Sequence, residues 1–187
     1  HIPLDERRKE KLEFMCSLSH GDVISAPNVE SIYDIPINFE NEHLSSRILK
    51  KLNLRPRRQD LRDWKKLVSN IHHSTGELRI GIIGKYFGTG DFVLEDSYIS
   101  VIEAVKHAAA KIKKKITITW ITAEEFEPPS PESRRNLNKL LSFHGIIVPG
   151  GFGSRGVEGK IAAIRYCRTN KIPYFGLCYG MQLMTVE

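Results

Sequence analysis

The stretch Pro173-Tyr174-Phe175-Gly176-Leu177-Cys178-Tyr179-Gly180-Met181-Gln182 reads as a strand that ends and a helix that begins, with a cysteine at the corner. Tyr174, Phe175 and Leu177 suit a buried strand. Gly176 and Gly180 stand two residues to either side of Cys178, the spacing of a nucleophile elbow, usually met as G-x-S-x-G. Such a turn is strained and tightly packed, and glycine, lacking a Cβ, suits it. A thiol there lies at the N-terminus of the following helix, whose open N–H groups and dipole favour the thiolate, the reactive form. The competing reading is a buried cysteine in an ordinary strand-to-helix turn. Two glycines in register favour the nucleophile.

Working outward from this corner, the chain from Leu78 alternates strand and helix. Leu78-Arg79-Ile80-Gly81-Ile82-Ile83-Gly84 is a buried strand ending in glycine, followed by a glycine-containing loop over 86–95. Tyr98, Ile102, Val105, Ala109 and Ile112 recur at spacings of four and three, which predicts a helix over 97–112. Residues 116–121 form a strand with alternating threonines. After a loop at 128–131, Leu137, Leu140 and Leu141 mark one face of a helix. Gly145-Ile146-Ile147-Val148-Pro149 is a third buried strand, and 156–170 a helix with Val157, Ile161 and Ile164 inward. Residues 174–177 are the fourth strand. This order implies an α/β fold with a doubly wound, mostly parallel sheet, in which reactive groups collect at the C-terminal edge.

Two glycine-rich turns fall at that edge: the Cys178 corner and Pro149-Gly150-Gly151-Phe152-Gly153-Ser154-Arg155-Gly156. The second lacks G-x-x-x-x-G-K-[ST] and does not read as a phosphate loop. It is either a flexible connection or a backbone that offers N–H groups to an oxyanion. A candidate nucleophile on the next strand favours the oxyanion hole.

Before Leu78 the pattern is different. Residues 4–18 read as a helix with Asp5 as N-cap and Leu4, Lys11, Leu12, Met15 and Leu18 on a partly apolar face. Val23-Ile24-Ser25 is a short strand or extended piece. Ile35-Pro36-Ile37 is another extended piece, because proline is excluded from a helix interior. Residues 44–52 read as a short helix, 53–60 carry Pro56 and several arginines, and Trp64, Leu67, Val68 and Ile71 form one face of a further helix. A polar break with a glycine at 72–77 is the main boundary.

The 187 residues hold one good-sized domain, or one domain and part of another. Charged residues at 27% and apolar residues at 41% are those of a soluble globular protein. No apolar run approaches a membrane span, and the charged residues 1–16 are no secretory signal. Cys16, Cys167 and Cys178 show neither metal-type spacing nor a disulfide framework, so no metal site is expected and a reducing, cytoplasmic setting fits. The net charge of +6 suits anionic partners, but its dispersal over Arg7–Lys9, residues 55–62 and 111–115 is not a nucleic-acid footprint. With no initiating Met and an end inside the last helix, the chain is expected to be a fragment, inactive by itself.

Gly-Leu-Cys-Tyr-Gly-Met-Gln after Val-Pro-Gly-Gly-Phe-Gly resembles the class I (triad-type) glutamine amidotransferases. The longer string from Val148 to Gly159 and on through Gly176 to Gln182 resembles the CTP synthase family in particular. So do Gly84-Lys85-Tyr86, Asp96-Ser97-Tyr98, Ser100-Val101-Ile102-Glu103-Ala104, and Ser31-Ile32-Tyr33 with Ile35-Pro36. The resemblance runs over nearly the whole chain. It implies the C-terminal end of a P-loop-type synthetase domain over 1–54, a linker over 55–76, and the first half of an amidotransferase domain over 77–187.

The resemblance also implies an activity. The synthetase domain of the family uses ATP and Mg²⁺ to activate UTP. The other domain hydrolyses glutamine, and the ammonia released turns UTP into CTP. On that basis Cys178 is the nucleophile that forms a thioester. Gly151 and Tyr179 supply the oxyanion-hole N–H groups, Phe152 and Gln182 (with Gly151) contact glutamine, and Arg155 approaches the site of the effector GTP. Lys11 falls at the pyrimidine nucleotide site, and Asn28 and Val29 at the adenine end of the ATP site. Asn28 stands where the family usually has Asp, Met15 where an aromatic is common, and the 86–95 loop is longer than usual. His72, His73, His107 and His144 all precede the nucleophile, so the triad histidine and glutamate, and the Mg²⁺ ligands, are expected outside this chain. A homotetramer is expected when complete. A GMP synthase or similar amidotransferase, and a non-catalytic scaffold keeping the fold, are the alternatives; residues 23–36 resemble only the CTP synthase domain.

Overall fold

The run Ile80-Gly81-Ile82-Ile83 is apolar on both faces, so the strand that carries it has to be covered on both sides. The computed structural model, which describes all residues except 1, 59, 85–87, 90, 91, 94–97, 129, 130 and 152, shows how. The chain divides into two compact units, His1–His72 and His73–Glu187.

In the second unit, β1 (Glu77–Gly84) pairs in parallel with β4 (Lys115–Thr122) along its whole length, from Glu77 opposite Lys115 to Gly84 opposite Thr122. On its other side, Ile80 to Ile82 of β1 pair with Gly145 to Ile147 of β5 (Gly145–Val148). The strand β6 (Tyr174–Gly176) then pairs with β5, bringing Gly176 opposite Val148. The order is β4-β1-β5-β6, all parallel. A separate antiparallel pair joins β2 (Gly88–Thr89) to β3 (Phe92–Val93).

Alternation along the strands sends side chains to two cores. One face puts Ile82 and Ile147 against Tyr98 and against Val101 and Val105 of α5 (Ile99–Lys111). The other puts Ile83, Ile121, Ile146 and Val148 against Leu140, which follows α6 (Pro131–Lys139), and Ala163 and Cys167 of α7 (Val157–Thr169). With α8 (Tyr179–Val186) packed on β5, β6 and α7, the sheet is doubly wound as the sequence predicts.

The differences are local. The inward face of α7 is Gly159, Lys160, Ala163, Ile164 and Cys167, with Val157 and Ile161 only half-buried. Leu140 is fully buried, but Leu141 is exposed because α6 tightens into a 3₁₀ turn at Leu140–Ser142 and rotates it outward. Phe175, expected inside, is exposed on β6, an edge strand of the sheet. In α7 the glycine at 159 serves close packing: a Cβ there would lie 1.9 Å from Ala123 O.

The first unit is helical. Asp5 caps α1 (Glu6–Met15), accepting from Arg8 N–H at 2.8 Å. Its apolar residues Leu12, Phe14 and Met15 are exposed, and its one buried residue is Glu13. Val23-Ile24-Ser25 joins no sheet. Contrary to expectation, Ile35 and Pro36 open a helix, α2 (Ile35–Asn41), because proline in the first turn has no intrahelical N–H bond to lose. The unit is completed by α3 (Leu44–Lys51) and α4 (Arg62–His72). Trp64 Nε1 donates to Tyr33 O at 2.8 Å, and His72 Nε2 meets Asp34 Oδ1 at 2.8 Å. His144, in the second unit, accepts from Arg79 N–H through Nδ1 at 2.9 Å.

Gly159→Ala forces α7 off the Ala123 carbonyl and is expected to cost about 2 kcal/mol or more, read from the urea unfolding midpoint. Burial pushes the Glu13 carboxyl up, but N–H donation from Val23 and Gly21, with the His20 ring, outweighs it and holds Glu13 below its ordinary 4.5. A carboxyl lowered on folding contributes stability above the unfolded value, and that stability disappears as pH falls from 4.5 toward the folded value. The urea midpoint of the first unit's transition should therefore drop on acidification below 4.5, and Glu13→Gln should flatten that part of the drop.

Candidate active site

The pairing of β5 with β6 brings two chain ends side by side at the C-terminal edge of the sheet. Leu177 N–H donates to Val148 O at 2.9 Å, continuing the ladder one residue past β6. The chain then turns into α8 within two residues. Cys178 absorbs that turn, with φ 50° and ψ −107°, a backbone conformation that side-chain-bearing residues seldom adopt. The strain lies on the cysteine, and its flanking glycines serve proximity instead. A Cβ on Gly176 would lie 2.6 Å from Gly180 C, and one on Gly180 would lie 2.0 Å from Val148 O.

Hydrogen bonds fix the turn. Gly180 N–H donates to Leu177 O at 2.9 Å, Gln182 N–H to Cys178 O at 3.1 Å, and Tyr174 O–H to Gly180 O at 2.8 Å. Tyr179 N–H, the first of the helix, has no acceptor among the described residues and is open to a ligand. The thiol of Cys178 is exposed. A Cβ on Gly150 would lie 3.4 Å from Cys178 Cβ and 3.8 Å from its Sγ, so the glycine-rich loop passes directly beside the thiol. Gly151 is the next residue of that loop. Gln182 is exposed on α8, one turn after the cysteine. Phe152 lies outside the described residues.

Arg155, at the exit of the loop, is exposed and its Nε is bound to Glu124 Oε1. The structure thus ties the loop to the turn Ala123–Phe126 through that pair. Lys11 and Asn28 are exposed in the first unit. Val29 lines a cleft of about 380 Å³ with Glu30, Asp34, Ile37, Asn38, Val68 and His72, a lining that does not include Asn28. Among the described residues no group of three or more His, Cys, Asp or Glu has metal-binding geometry. No described helix is long and apolar enough to cross a membrane.

One residue at the site escapes the sequence reading. Lys160 is 1% exposed on α7, and its Nζ sits 5.6 Å from the centre of the Tyr179 ring. The signal was available: Lys160 stands on the face marked by Gly156, Ala163, Ile164 and Cys167. A charged residue in an apolar stripe is easily taken for the edge of that stripe.

Comparison with known proteins gives this arrangement a family. The family model for glutamine amidotransferase class-I matches residues 93–187. The chain belongs to this family. A second model, CTP synthase N-terminus, matches residues 1–54 of this amidotransferase chain. A CTP synthase of Methanococcus maripaludis is 42% identical over 189 residues, covering 100% of the chain and 34% of that protein. One of Acidobacterium capsulatum is 46% identical over 179 residues, covering 96% of the chain and 31% of that protein. The amidotransferase chain thus spans about a third of the length of the curated relatives it matches. Among solved structures, the glutaminase domain of Trypanosoma brucei CTPS with bound acivicin matches with a TM-score of 0.50 and 40% identity, over 57% of this chain and 38% of that one.

The two cysteines of the amidotransferase unit should differ sharply in reactivity. Burial pushes the Cys167 thiol up to about 12, whereas Cys178 is open to solvent. Iodoacetamide at pH 8 is expected to modify Cys178 and the exposed Cys16, and to reach Cys167 only when urea is added. Peptide mass spectrometry reads the three sites separately.

Proposed function

We propose that this chain is part of a CTP synthase, in which the second unit releases ammonia from glutamine and the ammonia aminates ATP-activated UTP. The observation that carries the reading is the exposed Cys178 thiol, held at a strained backbone beside Gly150 and followed by Tyr179, whose N–H is open. The matches at both ends of the chain, to the CTP synthase N-terminus and to the class-I amidotransferases, support one enzyme over a GMP synthase. Acivicin, bound by the Trypanosoma brucei domain, is a glutamine analogue, which supports glutamine as the substrate here.

The chemistry is thioester formation and hydrolysis. Cys178 Sγ attacks the carboxamide carbon of glutamine, and the oxygen that becomes negative accepts from Tyr179 N–H and Gly151 N–H. The C–N bond breaks, the nitrogen takes up a proton and leaves as ammonia, and Cys178 holds the glutamyl thioester. Water then attacks the same carbon, the sulfur leaves, and glutamate is released. The family resemblance assigns the proton transfers to a histidine that follows the nucleophile. Gln182, one turn along α8, and Phe152 hold the substrate.

In the first unit, the Val29 cleft combines apolar Ile37 and Val68 with the polar Glu30, Asp34 and Asn38, a lining that suits a base and ribose hydroxyls rather than phosphates. Val29 and the neighbouring Asn28 would hold the adenine end of ATP, and Lys11 the pyrimidine nucleotide. ATP with Mg²⁺ supplies the activation of the UTP oxygen when bound. GTP as effector would act near Arg155 and would compete with Glu124 for its guanidinium. The complete protein is a homotetramer of the cytoplasm in this reading.

The test is Cys178→Ala in the full-length protein. Glutamine-dependent CTP formation should fall by about 1,000-fold or more, as for other covalent nucleophiles. CTP formation from ammonium salt should stay near the parent rate, since amination needs ammonia and no thiol. Equal loss with both nitrogen donors, in proportion to lost folded protein, would make Cys178 a structural residue.

A further inference from the structure

We infer that Lys160 is a positioning residue for glutamine hydrolysis, holding Tyr179 so that its backbone N–H faces the reacting carbonyl. This rests on the glutaminase reading of Cys178 above. An ammonium that is 1% exposed loses its hydration and needs compensation from its surroundings. One source is the face of the Tyr179 ring, 5.6 Å from Nζ to the ring centre, within the range of a cation–π contact and stronger for being out of water.

The position of this contact ties together the two backbone segments that flank the thiol. Lys160 lies in the first turn of α7, directly after the glycine-rich loop, and its N–H donates to Gly156 O at 3.1 Å. The same loop passes Cys178 at Gly150. Its side chain reaches instead to Tyr179, the first residue of α8 and the one that follows the nucleophile. One side chain therefore links the helix behind the loop to the residue whose N–H is open. Tyr179 needs such a restraint, because its neighbour Cys178 sits at φ 50° and relief of that strain would rotate the Tyr179 peptide. An oxyanion donor aimed at the transition state acts on kcat and leaves ground-state binding of glutamine nearly unchanged.

The experiment is a double-mutant cycle in the full-length protein, with Lys160→Met, Tyr179→Leu and the pair, read as glutaminase kcat and KM, thermal midpoint and ammonia-dependent CTP formation. Lys160→Met should lower glutaminase kcat about 10-fold with KM within about twofold, the split expected for a transition-state donor. Tyr179→Leu should do the same, and the pair should be no worse than either alone. Lys160→Arg, which keeps a charge over the ring, should recover much of the loss. Losses that multiply in the pair, or a fall that tracks the folded fraction or the ammonia-dependent rate, would overturn the inference. A parent protein that hydrolyses glutamine with variants that match it overturns this inference alone. A parent that hydrolyses none overturns the glutaminase reading and this inference with it.

Discussion

The corner at Cys178 depends on one close approach, that of Gly180 to the carbonyl of Val148. A hydrogen fits there and a methyl group does not, since a Cβ would lie 2.0 Å from the oxygen. That contact seats the first turn of α8 on the end of β5 as well as on β6, the strand that feeds it. The chain must then leave β6 and enter the helix over Leu177 and Cys178 alone. Cys178 takes the φ that this demands, and the surrounding bonds from Leu177, Gly180 and Tyr174 hold it there. Strain of this kind survives only where its neighbours over-determine it. The consequence is chemical: the thiol is turned out of the sheet edge, exposed, beside a backbone with no side chain to cover it.

Cys167 shows what the same side chain does without such a corner. It faces inward from the last turn of α7, fully buried among Ile146, Val148 and Ala163, and desolvation holds it as a thiol. Its packing is that of a small apolar residue. The difference between the two cysteines is set by backbone geometry and burial. Eleven residues apart in one chain, they separate structure from reactivity.

Most of the second unit was legible because its signals are local and redundant. Continuous apolar runs such as Ile80 to Ile83 and Gly145 to Val148 have one reading in a chain that also alternates with amphipathic stretches. What failed depends on tertiary placement. Phe175 has strand character, but whether an apolar residue on β6 is covered is decided by what flanks that edge. Leu141 is inward on an ideal helix and outward after a single 3₁₀ turn. The helix at Ile35 hides behind Pro36, because proline at a first turn and proline in an extended segment look alike in sequence. At the site, the pattern of glycines located the corner, but only the backbone angles show that cysteine carries the strain. Phe152 lies outside the described residues, so its place in the site rests on sequence alone.

The two units also differ in what holds them. The second has two apolar cores, whereas among the described residues of the first Val68 is the one buried apolar side chain, and Leu12, Phe14, Met15, Ile48 and Leu52 are exposed. Its loops are fastened by polar groups instead: Glu13 gathers the 20–23 loop, Lys9 reaches Glu42 at 2.6 Å, Lys51 reaches Asp22 at 2.7 Å, and Trp64 is bound to the Tyr33 carbonyl. The bonds to carboxylates weaken once the acid is protonated. Apolar burial has no such dependence. Acid should therefore weigh more on the first unit than on the two apolar cores of the second, where the carboxylate at stake is Glu187, held at about 2 by Arg168 and Arg165.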